Sequence, residues 1–298
     1  MNTLTLEAQY GNPTHTVLHL SDTHLVEHRR PLYGAIDSDA QLAALLDRLR
    51  NSSIRPDAIV LTGDLADHGA PDAYERLRAA LDPVAAEYGC PIVWVMGNHD
   101  NRGVFREKLL DEASTDTTPI DSVTTVNGLR LIALDSTVPG HHHGEIDPEQ
   151  LEWLTHELAV PAPHGTLIAL HHPPVPTPLP LLQLVELRRG ERLAAVIAGT
   201  DVRGILAGHF HYSTTSLLAG VPVSVAAATC YTQDLLVAAG YTRAQQGGAG
   251  ANLVHVYADR VVHSSVPLEL FDTVYEVTPA NIAALLGQGG DAPDLMNS

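Results

Sequence analysis

The sequence predicts an α/β fold, and three observations carry that reading. Short, nearly continuous aliphatic runs recur along the chain, segments with helical spacing separate the first of them, and five polar motifs each begin close to the end of such a run.

The expected core strands are residues 16–20, 58–61, 92–96, 130–134, 166–170 and 204–207, each apolar over nearly its whole length, as in strands buried on both faces. Two helices are expected between the first three strands. Residues 38–51 place Leu42, Leu45, Leu46 and Leu49 on one face, and residues 71–88 repeat that spacing with Tyr74, Leu77, Leu81 and Val84. Ser38 and Pro71 stand where helix starts favour them. Residues 173–180 hold five prolines in eight positions, which excludes helix and sheet interior and predicts a stiff loop walling whatever the preceding motif builds. The runs at 221–226, 253–257 and 260–266 are closely spaced and predict an antiparallel set. The Gly-rich residues 245–251 predict a mobile hairpin or loop, residues 279–286 a short helix, and the chain from about 287 a flexible tail. No repeat or long charge run interrupts the pattern, so residues 1–298 are expected to form a single domain.

Composition narrows the function. Acidic side chains number 35 against 17 basic ones, and the formal charge of -18 repels nucleic-acid backbones and anionic lipid surfaces. Two cysteines, Cys90 and Cys230, make no disulfide framework, and residues 1–10 carry neither a basic segment nor an apolar signal core, which predicts a cytoplasmic location. Residues 217–228 are apolar but are broken by Gly220 and Pro222, too short for a membrane span. Peripheral membrane association stays open.

The motifs are Ser21-Asp22-Thr23-His24, Gly63-Asp64, Gly97-Asn98-His99-Asp100, His171-His172 and Gly208-His209-Phe210-His211. In open α/β sheets, ligands bind at the carboxyl ends of strands, so residues far apart in sequence can meet at one rim. Carboxylates, an Asn carbonyl and neutral imidazoles suit Mn, Fe or Zn, and the absence of thiolates argues against a closed structural zinc site. His209 and His211 alternate across Phe210, as Asp22 and His24 do across Thr23, so on an extended strand end each pair shares a face.

In order and type these residues resemble the calcineurin-like metallophosphoesterase superfamily, whose pattern is D-x-H, G-D, G-N-H-D or G-N-H-E, a later H, and G-H-x-H. The resemblance implies a two-sheet β-sandwich flanked by helices (αββα). It gives one metal the ligands Asp22, His24, Asp64 and His211, and the other Asp64, Asn98, His171 and His209, with Asp64 shared. His172 is then a spare with a structural role. Over residues 15–270, the stretches Ser-Asp-Thr-His-Leu, Trp-Val-Met-Gly-Asn-His-Asp, Val-Pro-Gly-His-His-His-Gly-Glu and Leu-Ala-Gly-His-Phe-His-Tyr-Ser are similar to class III cyclic-nucleotide phosphodiesterases of the mycobacterial type. That likeness implies hydrolysis of 3',5'-cAMP to AMP, action on 2',3'-cyclic nucleotides and other phosphodiesters, two metal ions per subunit (Fe and Mn, with Zn, Co or Mg as substitutes), and a homodimer. Two departures matter. Asp67 stands where purple acid phosphatases carry a metal-ligating Tyr, and the chain has little of the C-terminal tail some relatives use for envelope association.

Within this reading His99 is the expected general acid for the leaving alkoxide, oriented by Asp100, and Asn98, His99 and His142 are the expected substrate contacts. His141 and His143 are expected to be loop residues. Bound cations dominate the local field, so the acidic net charge does not exclude an anionic substrate. The same metal chemistry also fits glycerophosphodiesters or other phosphate esters, with specificity set by residues 140–148 and 173–187. A metal-stabilised binding protein without catalysis would be expected to have lost a ligand, and none is missing.

Overall fold

The structure is a computed structural model that describes residues 9–112 and 115–282. Residues 13–269 form one compact unit, and among the described residues the second unit comprises 9–12 and 270–282. The helix expected at 279–286 is present over 279–282, while its end and the expected tail lie outside the described residues.

The first half of the main unit alternates strand and helix: β1 (His15–Leu20), α1 (Ser38–Arg50), β2 (Ala58–Thr62), α2 (Pro71–Tyr88), β3 (Ile92–Val95) and α3 (Arg102–Leu109). The second half runs β4 (Ser122–Val126), β5 (Leu129–Ala133), α4 (Pro148–Leu158), β6 (Thr166–Ala169), α5 (Pro180–Gln183), α6 (Gly190–Ile197), β7 (Val202–Ala207), β8 (Thr214–Leu218), β9 (Val221–Val225), β10 (Thr232–Gln233), β11 (Ala244–Gln245), β12 (Gly250–Val256) and β13 (Val261–Pro267). One sheet has the order β13-β12-β1-β2-β3 and the other β4-β5-β6-β7-β9-β8. In the first, β1, β2 and β3 run parallel and β12 and β13 add antiparallel beside β1; in the second, β5, β6, β7 and β9 run parallel and the outer strands β4 and β8 are antiparallel to their neighbours.

The strand period of two explains the layering. Val17, Ala58, Val60, Val93 and Val95 pack with Leu129, Leu131, Ala133 and Leu167 in a core between the sheets. Their alternates Leu18, Leu20, Ile59 and Leu61 pack outward on Leu42, Leu45, Leu46, Tyr74, Leu77 and Leu81 of α1 and α2. The second sheet does the same, with Ile132, Ile168 and Ile205 against Leu154, Leu158, Leu193 and Ile197 of α4 and α6. Each central strand buries both faces, which gives the aliphatic runs their continuity and makes the architecture an αββα sandwich.

The late strands do not form the single antiparallel set expected from their spacing. β9 joins the second sheet parallel to β7, whereas β12 and β13 join the first sheet beside β1. Spacing reports strands but not which open edge they reach. The Gly-rich 245–251 segment is partly strand, since β11 ends and β12 begins within it.

Candidate dinuclear metal centre

The carboxyl ends of β1, β2, β3, β6 and β7 open onto one rim, where the five motifs meet. Backbone bonds from Asp22 N to Gly63 O (3.0 Å) and from His24 N to Asp64 O (2.9 Å) extend the β1–β2 pairing past the strands and set Asp22, His24 and Asp64 side by side. Asp22, His24, Asp64, His209 and His211 all have positive φ, between 42° and 70°. For a residue with a Cβ each such conformation costs about 1–3 kcal/mol and persists only where the surroundings enforce it. The pairs therefore share a face through left-handed kinks, not through the extended strand ends expected from sequence.

The structure brings all seven expected ligands together as two donor sets. In one, His24 Nε2 and His211 Nε2 lie 3.2 Å apart, His211 Nε2 lies 3.3 Å from Asp22 Oδ1, and His24 Nε2 lies 3.6 Å from Asp64 Oδ2. In the other, His171 Nε2 lies 3.2 Å from Asp64 Oδ2, 3.2 Å from Asn98 Oδ1 and 3.1 Å from His209 Nδ1. Asp64 Oδ2 belongs to both.

The donors fit cations. The outward nitrogens face acceptors: His24 Nδ1 the Asp67 carboxylate (3.1 Å), His171 Nδ1 the Thr62 carbonyl (2.7 Å) and His209 Nε2 the Val185 carbonyl (3.0 Å). An imidazole whose outer N–H donates presents a lone pair from its other nitrogen. Lone pairs aimed at one another across about 3 Å repel unless positive charge lies between them. Asp22 and Asp64 ask for the same charge. Burial opposes their ionisation, yet the His211 ring brings Asp22 down to about 2, and the His171 ring holds Asp64 well below the usual carboxylate range. Without a cation a proton takes that place on His171, which, against its burial, Asp64 and then Asp22 raise to about 9, while burial and then His171 lower His209 to about 3.

The remaining predicted residues separate by geometry. His99 is partly exposed, and its Nδ1 donates to the Asp67 carbonyl (2.8 Å) with the Asp67 carboxylate 3.5 Å away. Asp100 does not orient it. The Asp100 carboxylate instead accepts from Gly97 N, Leu65 N, Ala66 N and the Tyr74 hydroxyl, because the tight 97–100 turn folds it back onto its own backbone and the 63–66 loop. His142 Nδ1 lies 3.1 Å from Asn98 Nδ2, at the edge of a cleft of about 430 Å³ lined by Asn98, Asp100, Arg102, Thr137, His141 and His142. His141 is exposed, and His143 is buried. The Pro-rich segment is a loop over residues 173–179 and its last proline, Pro180, opens α5; beyond that helix the Val185 carbonyl lies 3.0 Å from His209 Nε2.

The sequence of residues 15–213 matches the model of the calcineurin-like phosphoesterase family. The chain belongs to that family. It is 55% identical over 284 residues to the cAMP/cGMP dual specificity phosphodiesterase of Mycobacterium tuberculosis, covering 95% of this chain and 89% of that protein. Identity to the 3',5'-cyclic adenosine monophosphate phosphodiesterase CpdA of Escherichia coli K12 is 32% over 196 residues, 65% of this chain and 69% of the other. A dimetal phosphatase from Danio rerio shares the fold at TM-score 0.60 and 16% identity, covering 87% of this chain and 98% of that one.

In this phosphoesterase, sequence reasoning missed the work of two residues. Asp67, noted only as a replaced Tyr, is buried and touches both His24 and His99; although burial opposes its ionisation, those two rings hold its carboxyl far below the usual range. Its position three residues past Asp64 on the same loop was the available signal. Cys230 is fully buried with its Sγ 3.7 Å from His211 Nδ1, and burial pushes its thiol well up.

Proposed function

We propose that this phosphoesterase hydrolyses cyclic nucleotides, 3',5'-cAMP and 3',5'-cGMP foremost and 2',3'-cyclic nucleotides as well, at a pair of metal ions sharing Asp64. The observation that carries the proposal is the joint geometry of two donor sets meeting at one carboxylate oxygen, with the His99 ring 4.8 Å from that of the candidate ligand His24 and 5.8 Å from that of His142, which lines the cleft. The identity to a relative named as a cAMP/cGMP phosphodiesterase, spread over nearly the whole chain, supports the substrate class.

Asp22, His24, Asp64 and His211 would hold one ion and Asp64, Asn98, His171 and His209 the other. When bound, two such cations supply Lewis acidity towards the phosphoryl group and activate water as nucleophile. Oxygen and imidazole donors favour iron and manganese, with Zn, Co or Mg as substitutes. The chain's own residues do the rest. Asn98 and His142 border the cleft and hold the phosphate oxygens and ribose edge. Water adds to phosphorus opposite the bond to the 3'-oxygen, that bond breaks, His99 delivers its Nε2 proton to the departing alkoxide, and the proton given up by the water passes to solvent, from which His99 is reprotonated. Nδ1 of His99 is engaged by the Asp67 carbonyl, which leaves Nε2 as the nitrogen that gives the proton. Although burial opposes its charge, the Asp67 hydrogen bond and then Asp64 raise His99 to about 10, so the ring carries a proton to give at neutral pH. Asp100 serves the site by fixing the Asp64 loop.

Among the described residues no helix is long and apolar enough to cross a membrane, which accords with a cytoplasmic enzyme; the homodimer rests on the resemblance alone.

The test is a kcat/KM panel with added Mn or Fe over 3',5'-cAMP, 3',5'-cGMP, 2',3'-cAMP, bis-p-nitrophenyl phosphate and glycerophosphodiesters. Turnover of both 3',5'-cyclic nucleotides orders of magnitude below the other esters sinks the substrate assignment. In the same panel His99→Ala should lose rate on the cyclic nucleotides and keep it on bis-p-nitrophenyl phosphate, whose leaving group needs no proton. Equal loss on both rejects the acid role.

A further inference from the structure

His172 is fully buried beside the centre, with its ring 4.9 Å from His171 and 4.6 Å from His209 and one of its nitrogens within 4.8 Å of a nitrogen of each, yet both its nitrogens have hydrogen-bond partners outside the two donor sets. Its Nδ1 lies 2.9 Å from Ser136 Oγ, and its Nε2 lies 3.1 Å from the carbonyl of His142. The tautomer follows from the partners. A carbonyl only accepts, so Nε2 carries the proton and donates it. Ser136 Oγ accepts from the His172 backbone N–H at 3.2 Å and is free to donate its own proton to Nδ1. Both ring nitrogens are thereby spent on the loop that carries His142.

That loop is closed at its neck. Glu145 N donates to Ser136 O at 3.0 Å, Thr137 and Gly144 form an antiparallel bridge, and Gly144 accepts from Arg188 N at 2.8 Å and donates to Glu186 O at 3.2 Å. Gly144 lies flat on the His172 ring: a Cβ there would stand 2.5 Å from Cγ and 2.7 Å from Nδ1. Between these fixed points His141 and His142 project at the cleft, and His142 Nδ1 reaches Asn98. Arg102 supports the same wall from outside through the Thr137 carbonyl at 2.9 Å.

We infer that His172 is the positioning residue of the substrate-binding wall: its two ring hydrogen bonds, with Gly144 packed over them, fix the 137–144 loop so that His142 stands against Asn98. The His171-His172 motif thus divides its work, one ring facing the metals and the next facing substrate through the loop. The inference rests on the proposed function only in taking the cleft as the substrate's place. A misplacement of about 1 Å in such a positioning group costs between one and two orders of magnitude in productive binding.

The test uses the full-length, Mn-loaded enzyme with His172→Phe, which fills the space without hydrogen bonds, His172→Gln, whose amide nitrogen can still reach the His142 carbonyl, and Gly144→Ala. Expected are a rise in KM of about tenfold for His172→Phe and Gly144→Ala with kcat within about threefold, and a KM within about threefold of wild type for His172→Gln. Metal content and the Mn dissociation constant should stay within about twofold in all three. Hydrogen exchange gives a readout independent of substrate: backbone amides of 137–144 should exchange about tenfold faster in His172→Phe, while those of β1 and β2 do not change. If the cyclic nucleotides prove to be poor substrates, the same KM comparison is made on bis-p-nitrophenyl phosphate, so that failure of the substrate assignment is told apart from failure of this inference. Wild-type KM and exchange in His172→Phe would show the ring to be filler, and loss of a metal ion would show it to be a ligand; either overturns the inference. Should His172→Phe fail to fold, unchanged KM and loop exchange in Gly144→Ala overturn it equally.

Discussion

Gly208 opens the Gly-His-Phe-His motif, and replacing it with alanine tests whether the rim is as tightly built as the structure says. A Cβ at this position would stand 1.8 Å from Ser21 Oγ, 2.7 Å from Asp22 Oδ2 and 2.9 Å from the Thr62 carbonyl. Ser21 must leave, and it currently donates to Asp22 Oδ2 at 2.5 Å and accepts from Thr62 Oγ1 at 2.8 Å. Losing a hydrogen bond to a buried carboxylate costs about 1.5–3 kcal/mol, and overpacking a rigid site adds about 1–3 kcal/mol. The sum of about 2.5–6 kcal/mol corresponds to a fall in Tm of about 5–24 °C at roughly 2–4 °C per kcal/mol for a chain of this size. The assay is calorimetry of the chelator-treated enzyme, where metals cannot mask the change, paired with metal stoichiometry after reloading. The Ser21→Ala, Gly208→Ala double variant removes the worst contact but keeps the one with Thr62, so it should recover about half the loss. A Gly208→Ala enzyme melting within about 3 °C of wild type and binding two ions would refute the reasoning.

Two further outcomes follow from groups outside the ligand set. Asp67→Ala leaves His24 without its outer acceptor and should weaken metal binding by about 10–100-fold, as removal of such supports does, measured by competition with a chromophoric chelator; unchanged affinity would show that Asp67 serves His99 alone. His263 has neither ring nitrogen hydrogen-bonded among the described residues, and burial lowers it from 6.5 to about 4. Between those values the unfolded chain holds the proton that the folded one refuses. Its contribution is therefore fully present above about pH 6.5 and fades towards pH 4, by at most about 3 kcal/mol. Urea midpoints at several pH values should fall more steeply towards acid for wild type than for His263→Phe, and parallel curves would contradict the assignment.

Much of this was legible in the chain because the chemistry is local in kind. The rim needed Asp, Asn and His at strand ends, and the five motifs stand directly after aliphatic runs, so residue type and position marked the motifs, and the family resemblance then named seven candidate ligands among them. The central strands were legible for a similar reason: burial on both faces leaves a continuous apolar run. Edge strands β4 and β8 carry Ser and Thr on exposed faces and left no such run. Helices α3, α4 and α6 are short or half-exposed and gave no helical stripe strong enough to read.

Sequence adjacency misled where side chains choose partners across loops. His99 and Asp100 are neighbours, yet a tight turn sends their side chains apart, and the carboxylate that meets His99 comes from the β2 loop. His172 follows the candidate ligand His171, and only the packing of the 137–144 loop over its ring shows what it holds.

The sequence by itself determined the ligand types, their order and the family of chemistry they serve, because metal donors and buried strands are specified by composition over a few residues. Tertiary structure decided the rest: the left-handed kinks that turn Asp22, His24, Asp64, His209 and His211 inward, the Asp67 support, the loop held by His172, and the sheet each late strand joins. Those depend on contacts between segments tens to hundreds of residues apart, and such contacts are fixed by how the two sheets pack, which no local pattern records.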